Sequence, residues 1–349
     1  MSKTLNGKRI LITGVCGTVG SELINQLLTN HLYGVAEVLG IDNDESALFF
    51  MDQQYLDESK ANFYVLDIRD RNELINKMRD IDIVFHCAAL KHVILSERSP
   101  DQAVQTNIIG VQNVIAAAEL NEVEIVIFTS SDKAVNPTNV MGTSKLMGER
   151  LMTAANAKQR DSKTLFASTR FGNVLGSNGS VVPIFSRQIA NGGPLTLTHR
   201  DMTRFVMSTA EAVALVIESA LIARGGEVLI TKMPVIRIEH LAQVMIDKLS
   251  RQFGKDPAKI LIKEIGIKPG EKLYEELMSD EETRRAVELE RYFVVTPAFR
   301  GVYKSIDYEY DDVVNVRVKN PYISGRELSL NLADVAILLA KYRIFEGPA

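Results

Sequence analysis

Short apolar runs alternate with amphipathic stretches through the first two thirds of this 349-residue chain. The runs are rich in β-branched residues and are apolar throughout, which is typical of strands buried on both faces of a parallel sheet. Predicted strands cover residues 9–13, 37–41, 63–66, 81–86, 124–128 and 164–168. Predicted helices between them cover 21–30, 71–79, 101–120 and 143–157. This alternation predicts an α/β fold with a doubly wound parallel sheet.

The pattern loosens after residue 175, where glycines and a proline separate shorter elements. The predicted elements are helices at 209–224 and 238–249 and strands at 227–231, 260–264 and 292–295. A mixed-charge run at 280–291 is predicted to be a solvated helix face or loop. After residue 295 we predict no further element.

This change of pattern predicts two parts, and the length of the chain allows one large or two modest domains. Residues 1–175 are expected to form the doubly wound domain, with elements from about 205–235 returning to it. Residues 176–349 are expected to form mainly a smaller lobe and a C-terminal tail.

Composition and charge narrow the function classes. The chain has 40 Lys and Arg against 44 Asp and Glu, a formal net charge of −4, so no basic excess is available for nucleic acid or an anionic membrane. Its longest apolar stretches are shorter than the roughly 20 residues of a membrane span, and its N-terminus has no apolar signal region. Cys16 and Cys87 lie in apolar segments, which favours a reducing compartment over disulfides. We therefore expect a cytoplasmic protein that binds neither nucleic acid nor a membrane.

A glycine motif follows the first predicted strand directly. Gly14, Gly17 and Gly20 stand where the chain must turn, where a pyrophosphate can approach the backbone, and where a helix can pack against the strand. Asp42 ends the second predicted strand, where its carboxylate can accept hydrogen bonds from ribose hydroxyls and repel a 2′-phosphate. The motif predicts a Rossmann-like domain that binds NAD rather than NADP. A tight turn that needs its glycines only for steric reasons is the alternative.

Further cofactor-binding residues are predicted in the same loop and at the ends of neighbouring strands. They are Cys16, Thr18, Val19, Asp67, Ile68, Ala88, Ala89 and Phe171. No metal site is predicted, because His86 and His92 have no spacing typical of metal ligands.

The glycine spacing resembles that of the extended short-chain dehydrogenase/reductase superfamily. In that superfamily the fifth strand ends in Ser or Thr, and the next helix carries Tyr-x-x-x-Lys. This chain has Ser131 at the strand end and Lys145 on the helix, but Met141 occupies the tyrosine position. A thioether cannot donate or accept the proton that a phenol handles. A plain reductase or 4-epimerase is therefore not expected.

Four motifs, taken in order, resemble those of a narrower group. They are AALKHV at 88–93, SDKAVNPTNVMG at 131–142, RFGNVLGSNGSV at 170–181 and MTRF at 202–205. They resemble the polysaccharide-biosynthesis branch of UDP-N-acetylglucosamine 4,6-dehydratases, over about residues 7 to 280. With Met141 at the tyrosine position, the chain resembles the subgroup of these dehydratases that retains configuration at C5. The inverting subgroup generally keeps the tyrosine. Many retaining relatives carry an N-terminal membrane portion, which we do not expect here.

The resemblance implies a lyase with tightly bound NAD and at least a dimeric assembly. Oxidation at C4 acidifies the C5 proton, water is lost across C5 and C6, and the hydride returns to C6. The expected product is UDP-2-acetamido-2,6-dideoxy-α-D-xylo-hexos-4-ulose. The alternatives are a C5-inverting dehydratase, a dehydratase/epimerase on the same substrate, and a non-catalytic NAD-binding regulator.

The resemblance also implies catalytic roles. Lys133 would remove the C5 proton, Asp132 would protonate the leaving C6 hydroxyl, and Lys145 would orient the nicotinamide ribose. Without the tyrosine, our hypothesis is that Ser131 takes the C4 hydroxyl proton and relays it to Asp132, Lys133 or a water. For Lys133 to be a base it must be neutral, so we predict a lowered pKa. An ordinary turn with a capping Asp and a solvated Lys is the alternative.

Substrate-binding residues are expected mainly in the lobe. They are Lys91, Asn173, Ser180, Val181, Thr198, Arg204, Lys268 and Glu271. Glu271 could accept hydrogen bonds from uridine ribose hydroxyls, and Arg204 could bind the diphosphate or form an ion pair inside the lobe. Lys268 stands where relatives commonly have arginine, and a lysine cannot make the bidentate contact. Lys91 could instead belong to a solvated loop.

Overall fold

The computed structural model describes residues 3–158, 163–177, 179–299 and 305–345. The helices are α1 (Thr18–Thr29), α2 (Glu45–Gln54), α3 (Arg71–Lys77), α4 (Val93–Arg98), α5 (Pro100–Val104), α6 (Gly110–Leu120), α7 (Val140–Lys158), α8 (Val181–Ala190), α9 (Thr209–Ile222), α10 (Ile238–Gln252), α11 (Asp280–Thr283) and α12 (Leu332–Lys341). Asn178, within the motif at 170–181, lies outside the described residues.

Seventeen strands accompany these helices in the described ranges. They are β1 (Arg9–Thr13), β2 (Glu37–Asp42), β3 (Ala61–Val65), β4 (Ile83–His86), β5 (Ile125–Ser131), β6 (Leu165–Phe171), β7 (Asn173–Val174), β8 (Leu195–Leu197), β9 (Thr203–Met207), β10 (Val228–Thr231), β11 (Val235–Arg237), β12 (Ile262–Glu264), β13 (Glu276–Met278), β14 (Ala286–Leu289), β15 (Tyr292–Val295), β16 (Val313–Asn315) and β17 (Tyr322–Ile323).

Ten of these strands form the central sheet, in the order β16-β14-β15-β10-β6-β5-β4-β1-β2-β3. From β10 to β3 every neighbouring pair is parallel, whereas β15, β14 and β16 add an antiparallel edge. The strand order reverses beside β1, which pairs with both β2 and β4. A crevice opens at such a reversal, at the carboxyl ends of the strands. The predicted doubly wound, Rossmann-like sheet is confirmed.

The six strands predicted in the first two thirds are confirmed as β1 to β6, with small shifts at their ends. Helix α2 was not predicted, because it buries only Leu48 and Met51 and leaves Phe49 and Phe50 exposed. The single helix predicted at 101–120 is instead α5, a π-helical turn and α6 in succession. In that π-helical turn the buried Asn107 turns inward, accepting from the Leu90 N–H and donating to the Leu90 carbonyl.

The prediction for the mixed-charge run at 280–291 is wrong. The run contains α11 and the whole of β14, which lies inside the central sheet between β15 and β16. Glu282 in this run is buried and binds Arg170, which is 1% exposed. A buried guanidinium partner thus allows charged residues to lie in the interior.

Residues from Leu175 onward form a hydrophobic core separate from those of the central sheet, and we call the elements around it the lobe. Helices α8, α10 and α12 contribute Phe185, Met245 and Leu339 to it, together with strand residues such as Leu195. Three small sheets, β11-β9-β7, β12-β8 and β13-β17, lie outside the central sheet. Helices α8 and α12 were not predicted. The predicted division of the chain near residue 175 remains a prediction.

None of the helices in the described ranges combines the length and the apolar character that crossing a membrane requires.

Candidate active site

The loop between β1 and α1 is tightly packed against its surroundings. Gly14 has φ +69°, and a Cβ there would lie 2.6 Å from the Ala88 Cα. A Cβ at Gly20 would lie 2.3 Å from the Gly14 carbonyl oxygen, so the loop leaves no room for a side chain where α1 begins. At Gly17, by contrast, the described residues place only that carbonyl oxygen within 4 Å, at 3.3 Å. The loop is thus closed toward β4 and α1, and open at Gly17.

This loop lines a cavity of about 460 Å³, which we call the glycine-loop cavity. The predicted cofactor residues that line it are Gly14, Cys16, Gly17, Asp42, Asp67, Ile68, Ala88 and Ala89. The other lining residues, which are outside the predicted cofactor-binding set, are Ile41, Asn43, Asp44, Ala47, Leu66, Cys87, Leu90 and Thr106. Thr18, Val19 and Gly20 lie in the first turn of α1 instead, and Lys145 and Phe171 lie outside the lining.

The glycine-loop cavity has features that suit a dinucleotide. Among the described residues no side chain caps α1 at Gly17, so the first amide groups of this helix are available to an anion. Asp42 is oriented by the N–H groups of Cys16 (3.0 Å) and Asp44 (3.1 Å). The carboxylate of Asp67 is bound by Arg69, whose hydrogen bonds lower the Asp67 pKa.

Both cysteine thiols lie at this cavity. Burial raises the pKa of Cys16 and of Cys87 to about 12, so neither is a thiolate at neutral pH. They are therefore neutral neighbours of whatever occupies the cavity.

A second group of functional side chains follows β5. Ser131 ends the strand, and the 3₁₀ turn Asp132–Ala134 begins directly after it. Ser131 Oγ donates to Asp132 Oδ1 at 2.7 Å, and Lys133 Nζ donates to the same oxygen at 3.0 Å. Asp132 is fully buried, and its Oδ2 has no partner among the described residues. A buried polar oxygen without a hydrogen-bond partner is rare in folded proteins.

The predicted lowering of the Lys133 pKa is wrong. Burial lowers this pKa, but the carboxylates of Asp132 and Glu275 raise it by more, and the net shift is upward. Their oxygens lie 3.0 and 3.6 Å from Lys133 Nζ. Lys133 is therefore an ammonium in the free protein at neutral pH.

Helix α7 brings Met141 and Lys145 to the same region. A Cβ at Gly142 would lie 2.2 Å from the Lys133 carbonyl oxygen, so this glycine lets α7 pack directly on the 131–134 turn. Lys145 is 6% exposed, and its Nζ donates to the Thr129 carbonyl at 2.9 Å. Burial lowers the pKa of Lys145 to about 8. Met141 is buried one helical turn before it.

Two further cavities share part of their lining, and the first of them adjoins the turn. The first, of about 500 Å³, is called the Lys133 cavity because that residue lines it. The second, of about 280 Å³, contains Ser180 and is called the Ser180 cavity. Predicted substrate residues that line both are Asn173, Arg204, Lys268 and Glu271, and those that line the Ser180 cavity are Ser180, Val181 and Thr198. Lys91 lines none of the three cavities described here.

Arg204 forms the internal contacts that were the alternative to diphosphate binding. Its guanidinium donates to the carbonyls of Thr203 (2.7 Å), Lys272 (2.8 Å) and Leu273 (3.2 Å). Its Nε lies 3.6 Å from Glu275 Oε1. Arg204 thus holds the loop at 268–273 in the wall of both cavities.

Sequence reasoning missed Glu275, which lines the Lys133 cavity. The surrounding segment is rich in glutamate, and no motif spacing distinguishes Glu275 from the other carboxylates near it. Asn139, also missed, lines the same cavity and donates to the Gly270 carbonyl at 3.1 Å.

Comparison with known proteins shows the family of this chain. The model of a family described as polysaccharide biosynthesis protein matches residues 10–297. An uncharacterized membrane protein of Methanocaldococcus jannaschii is 47% identical over 85% of this chain and 88% of its own length. A UDP-N-acetylglucosamine 4,6-dehydratase (inverting) of Campylobacter jejuni is 38% identical over 89% of this chain and 88% of its own. A relative in Rickettsia bellii, 37% identical over 95% of both chains, is named UDP-glucose 4-epimerase.

Solved structures show the same architecture. The X-ray structure of Pen from Bacillus thuringiensis is 36% identical and has a TM-score of 0.90 over 98% of this chain and 99% of that one. A dTDP-glucose 4,6-dehydratase from Streptomyces venezuelae, solved with NAD bound, shares the fold at 23% identity, with a TM-score of 0.66 over 76% of this chain and 86% of that one. With the family model matching from β1 to beyond β15, the chain belongs to the polysaccharide biosynthesis protein family.

Proposed function

We propose that this protein is an NAD-dependent UDP-N-acetylglucosamine 4,6-dehydratase that retains the configuration at C5. The turn at 131–133 carries the proposal, because it sets a hydroxyl, a carboxylate and an amine within hydrogen-bond distance beside the Lys133 cavity. The 38% identical relative supports the substrate and the reaction type. Met141 in place of the tyrosine supports the retaining outcome.

The glycine-loop cavity fits NAD. The open side of Gly17 and the uncapped amides of α1 would hold the pyrophosphate, and Asp42 would accept hydrogen bonds from the adenosine ribose. Lys145 would bind the nicotinamide ribose from α7. The chemistry that NAD would supply when bound is reversible hydride transfer, which would oxidise C4 of the sugar and later reduce C6.

The residues of the turn would move the protons. Ser131 takes the proton of the C4 hydroxyl and passes its own to Asp132, to which it already donates at 2.7 Å. A neutral Lys133 removes the C5 proton, and Asp132 protonates the C6 oxygen, which leaves as water. Lys133 then returns a proton to the same face of C5, so the configuration is retained. The product is UDP-2-acetamido-2,6-dideoxy-α-D-xylo-hexos-4-ulose.

NMR of the product formed from UDP-N-acetylglucosamine tests this function. We expect a 4-keto-6-deoxy sugar with the C5 configuration of the substrate. The inverting dehydratase is the second candidate, favoured by the name of the 38% identical relative, and it would give the C5 epimer. A C4-epimerised sugar would instead indicate an epimerase, and absence of turnover would indicate a non-catalytic NAD-binding regulator.

The Ser131 relay gives the first prediction. A Ser131→Ala variant should reduce bound NAD about 100-fold more slowly in a single turnover with UDP-N-acetylglucosamine, because the C4 hydroxyl loses its proton acceptor. The absorbance of the reduced cofactor measures this step. Ser130→Ala is the matched control, since Ser130 Oγ is buried and has no partner in the described structure. A Ser131→Ala variant with the wild-type rate would refute the relay.

The choice of cofactor gives the second prediction. An Asp42→Asn variant should shift the ratio of NADP to NAD affinity by about tenfold toward NADP, because the carboxylate no longer repels a 2′-phosphate. Titration of the cofactor-free protein with each dinucleotide measures the ratio. Asp70→Asn is the control, because Asp70 caps α3 away from the cavity. An unchanged ratio would show that Asp42 does not select the cofactor.

A further inference from the structure

A second carboxylate lies near Lys133. Glu275, which directly precedes β13, is 4% exposed, and its Oε1 lies 3.6 Å from both Lys133 Nζ and Arg204 Nε. Its N–H donates to Ser324 Oγ at 2.9 Å, and the Ser324 N–H donates to the Glu275 carbonyl at 2.9 Å. These bonds hold the main chain of Glu275 in place, so the lobe presents a buried carboxylate to the turn after β5.

The proposed reaction needs one more proton acceptor than the turn itself provides. Asp132 is committed to the C4 hydroxyl proton, because it must keep that proton until the C6 oxygen leaves. Lys133 must be neutral when it attacks C5, yet in the free protein it is an ammonium between two carboxylates. Its surplus proton therefore has to go to a group other than Asp132.

We propose that Glu275 is this acceptor, a positioning residue that holds Lys133 and stores its ammonium proton while Lys133 acts on C5. The inference rests on the proposed function. One N–H bond of Lys133 breaks as an O–H bond forms on Glu275. The nitrogen lone pair then takes the C5 proton, and the C5–H electron pair forms the C5–C6 double bond as the C6–O bond breaks.

The stored proton returns at the end of the cycle. Lys133 delivers a proton to C5 when the hydride reaches C6, and Glu275 then gives its proton back to Lys133. The exchange requires no external acid or base, and all the residues regain their starting charges.

Binding of the sugar supplies the driving force for this transfer. The Lys133 side chain is 26% exposed toward its cavity, so water stabilises the charged pair in the free protein. A sugar in the cavity displaces that water, and a low dielectric disfavours two separated charges relative to a neutral pair. Burial already raises the pKa of the Glu275 carboxyl, even though the positive charge of Lys133 opposes the shift.

Three other charged groups face the pair. Arg204 of β9 and Lys272 of the loop before β13 lower the pKa of Glu275, and Asp132 raises it. Arg204 and Lys272 carry hydrogen-bond donors and no acceptor, so neither takes a proton from Lys133. Asp132 has its own task in the reaction, which leaves Glu275 as the carboxylate available for the proton.

A Glu275→Gln variant of the NAD-loaded protein tests the proposal through its pH profile. In the wild type the proton moves internally, so exchange of the substrate C5 proton with solvent deuterium should vary little from about pH 6 to about pH 9. The variant must release the Lys133 proton to solvent. Its exchange rate should be about 100-fold lower at neutral pH and should rise about tenfold per pH unit. Glu275→Asp keeps the carboxylate and should restore the flat profile.

Two further readouts separate this role from a structural one. Reduction of bound NAD in a single turnover should change less than about threefold in Glu275→Gln, because C4 oxidation does not use Glu275. NMR of side-chain-labelled lysine without substrate should show Lys133 titrating at lower pH in Glu275→Gln, because a neighbouring negative charge is lost. Glu264→Gln, an exposed carboxylate of β12 outside the cavities, is the control.

The outcomes are distinct. A flat profile in Glu275→Gln, equal loss of both steps, or an unchanged Lys133 titration would each overturn the role of Glu275. Absence of cofactor reduction and of product in the wild type would instead overturn the proposed dehydratase function.

Discussion

A Lys133→Arg variant should exchange the C5 proton of UDP-N-acetylglucosamine about 1,000-fold more slowly than the wild type, because a guanidinium cannot act as a neutral base near pH 7. Arginine keeps the positive charge that Asp132 and Glu275 require, so the buried carboxylates stay paired. Loss of activity in this variant therefore reports the missing base rather than a damaged fold. Solvent deuterium incorporation at C5 measures the effect.

The same variant should still reduce bound NAD in a single turnover, because C4 oxidation depends on Ser131 and Asp132. The 4-keto sugar and the reduced cofactor should then accumulate. Lys232→Arg is the matched control, since Lys232 pairs with Glu288 outside the three cavities. A Lys133→Arg variant with more than about a tenth of the wild-type exchange rate would contradict Lys133 as the C5 base.

An Arg170→Met variant should lose about 3–5 kcal/mol of unfolding free energy, the largest stability effect we expect in this protein. Arg170 is 1% exposed and donates to Glu149 on α7, to Glu282 on α11 and to the Leu277 carbonyl on β13. Its removal leaves two buried carboxylates without a cation. Urea unfolding monitored by circular dichroism measures the change.

Two control variants test whether uncompensated charge is the cause. The triple variant Arg170→Met, Glu149→Gln, Glu282→Gln should be more stable than Arg170→Met alone, because no buried charge remains unpaired. Arg291→Met, which removes an exposed pair with Glu218, should cost at most about 1 kcal/mol. If Arg170→Met also lost no more than about 1 kcal/mol of unfolding free energy, the buried network would contribute little to stability.

The network also predicts a pH dependence of stability. Burial raises the pKa of Glu282, but the charge and hydrogen bonds of Arg170 lower it by more, from 4.5 to about 2. A carboxyl whose pKa is lower in the folded state than in the unfolded state stabilises the fold at pH values above its unfolded-state pKa. This contribution is therefore lost as the pH falls from 4.5 toward 2. Arg170→Met should lose most of this acid dependence in urea titrations at different pH.

Local signals in the sequence were sufficient for much of the architecture and part of the site. Apolar runs predicted β1 to β6, because strands buried on both faces need continuous hydrophobicity. The glycine loop and Asp42 were predicted because a tight turn and the end of a strand can both be located from residues that are neighbours in the sequence. Ser131, Asp132 and Lys133 are consecutive, so their proximity needed no tertiary information.

Elements with weak periodicity could not be predicted in this way. Helix α2 exposes two phenylalanines, and α12 buries only Val335 and Leu339. The strand β14 carries charge and was mistaken for a solvated segment, because its place in the sheet depends on pairing with β15 and β16. Local composition does not reveal such pairing.

The sequence by itself determined the doubly wound sheet, the glycine-loop cavity and the hydroxyl, carboxylate and amine after β5. Only the tertiary structure decided the charge on Lys133, because burial lowers its pKa while the contacts with Asp132 and with the distant Glu275, at 3.0 and 3.6 Å, raise it by more. It likewise decided that Arg170 and Glu282 are partners in the interior. Protonation and ion pairing depend on distance and burial in three dimensions, and these arise only when remote segments pack together.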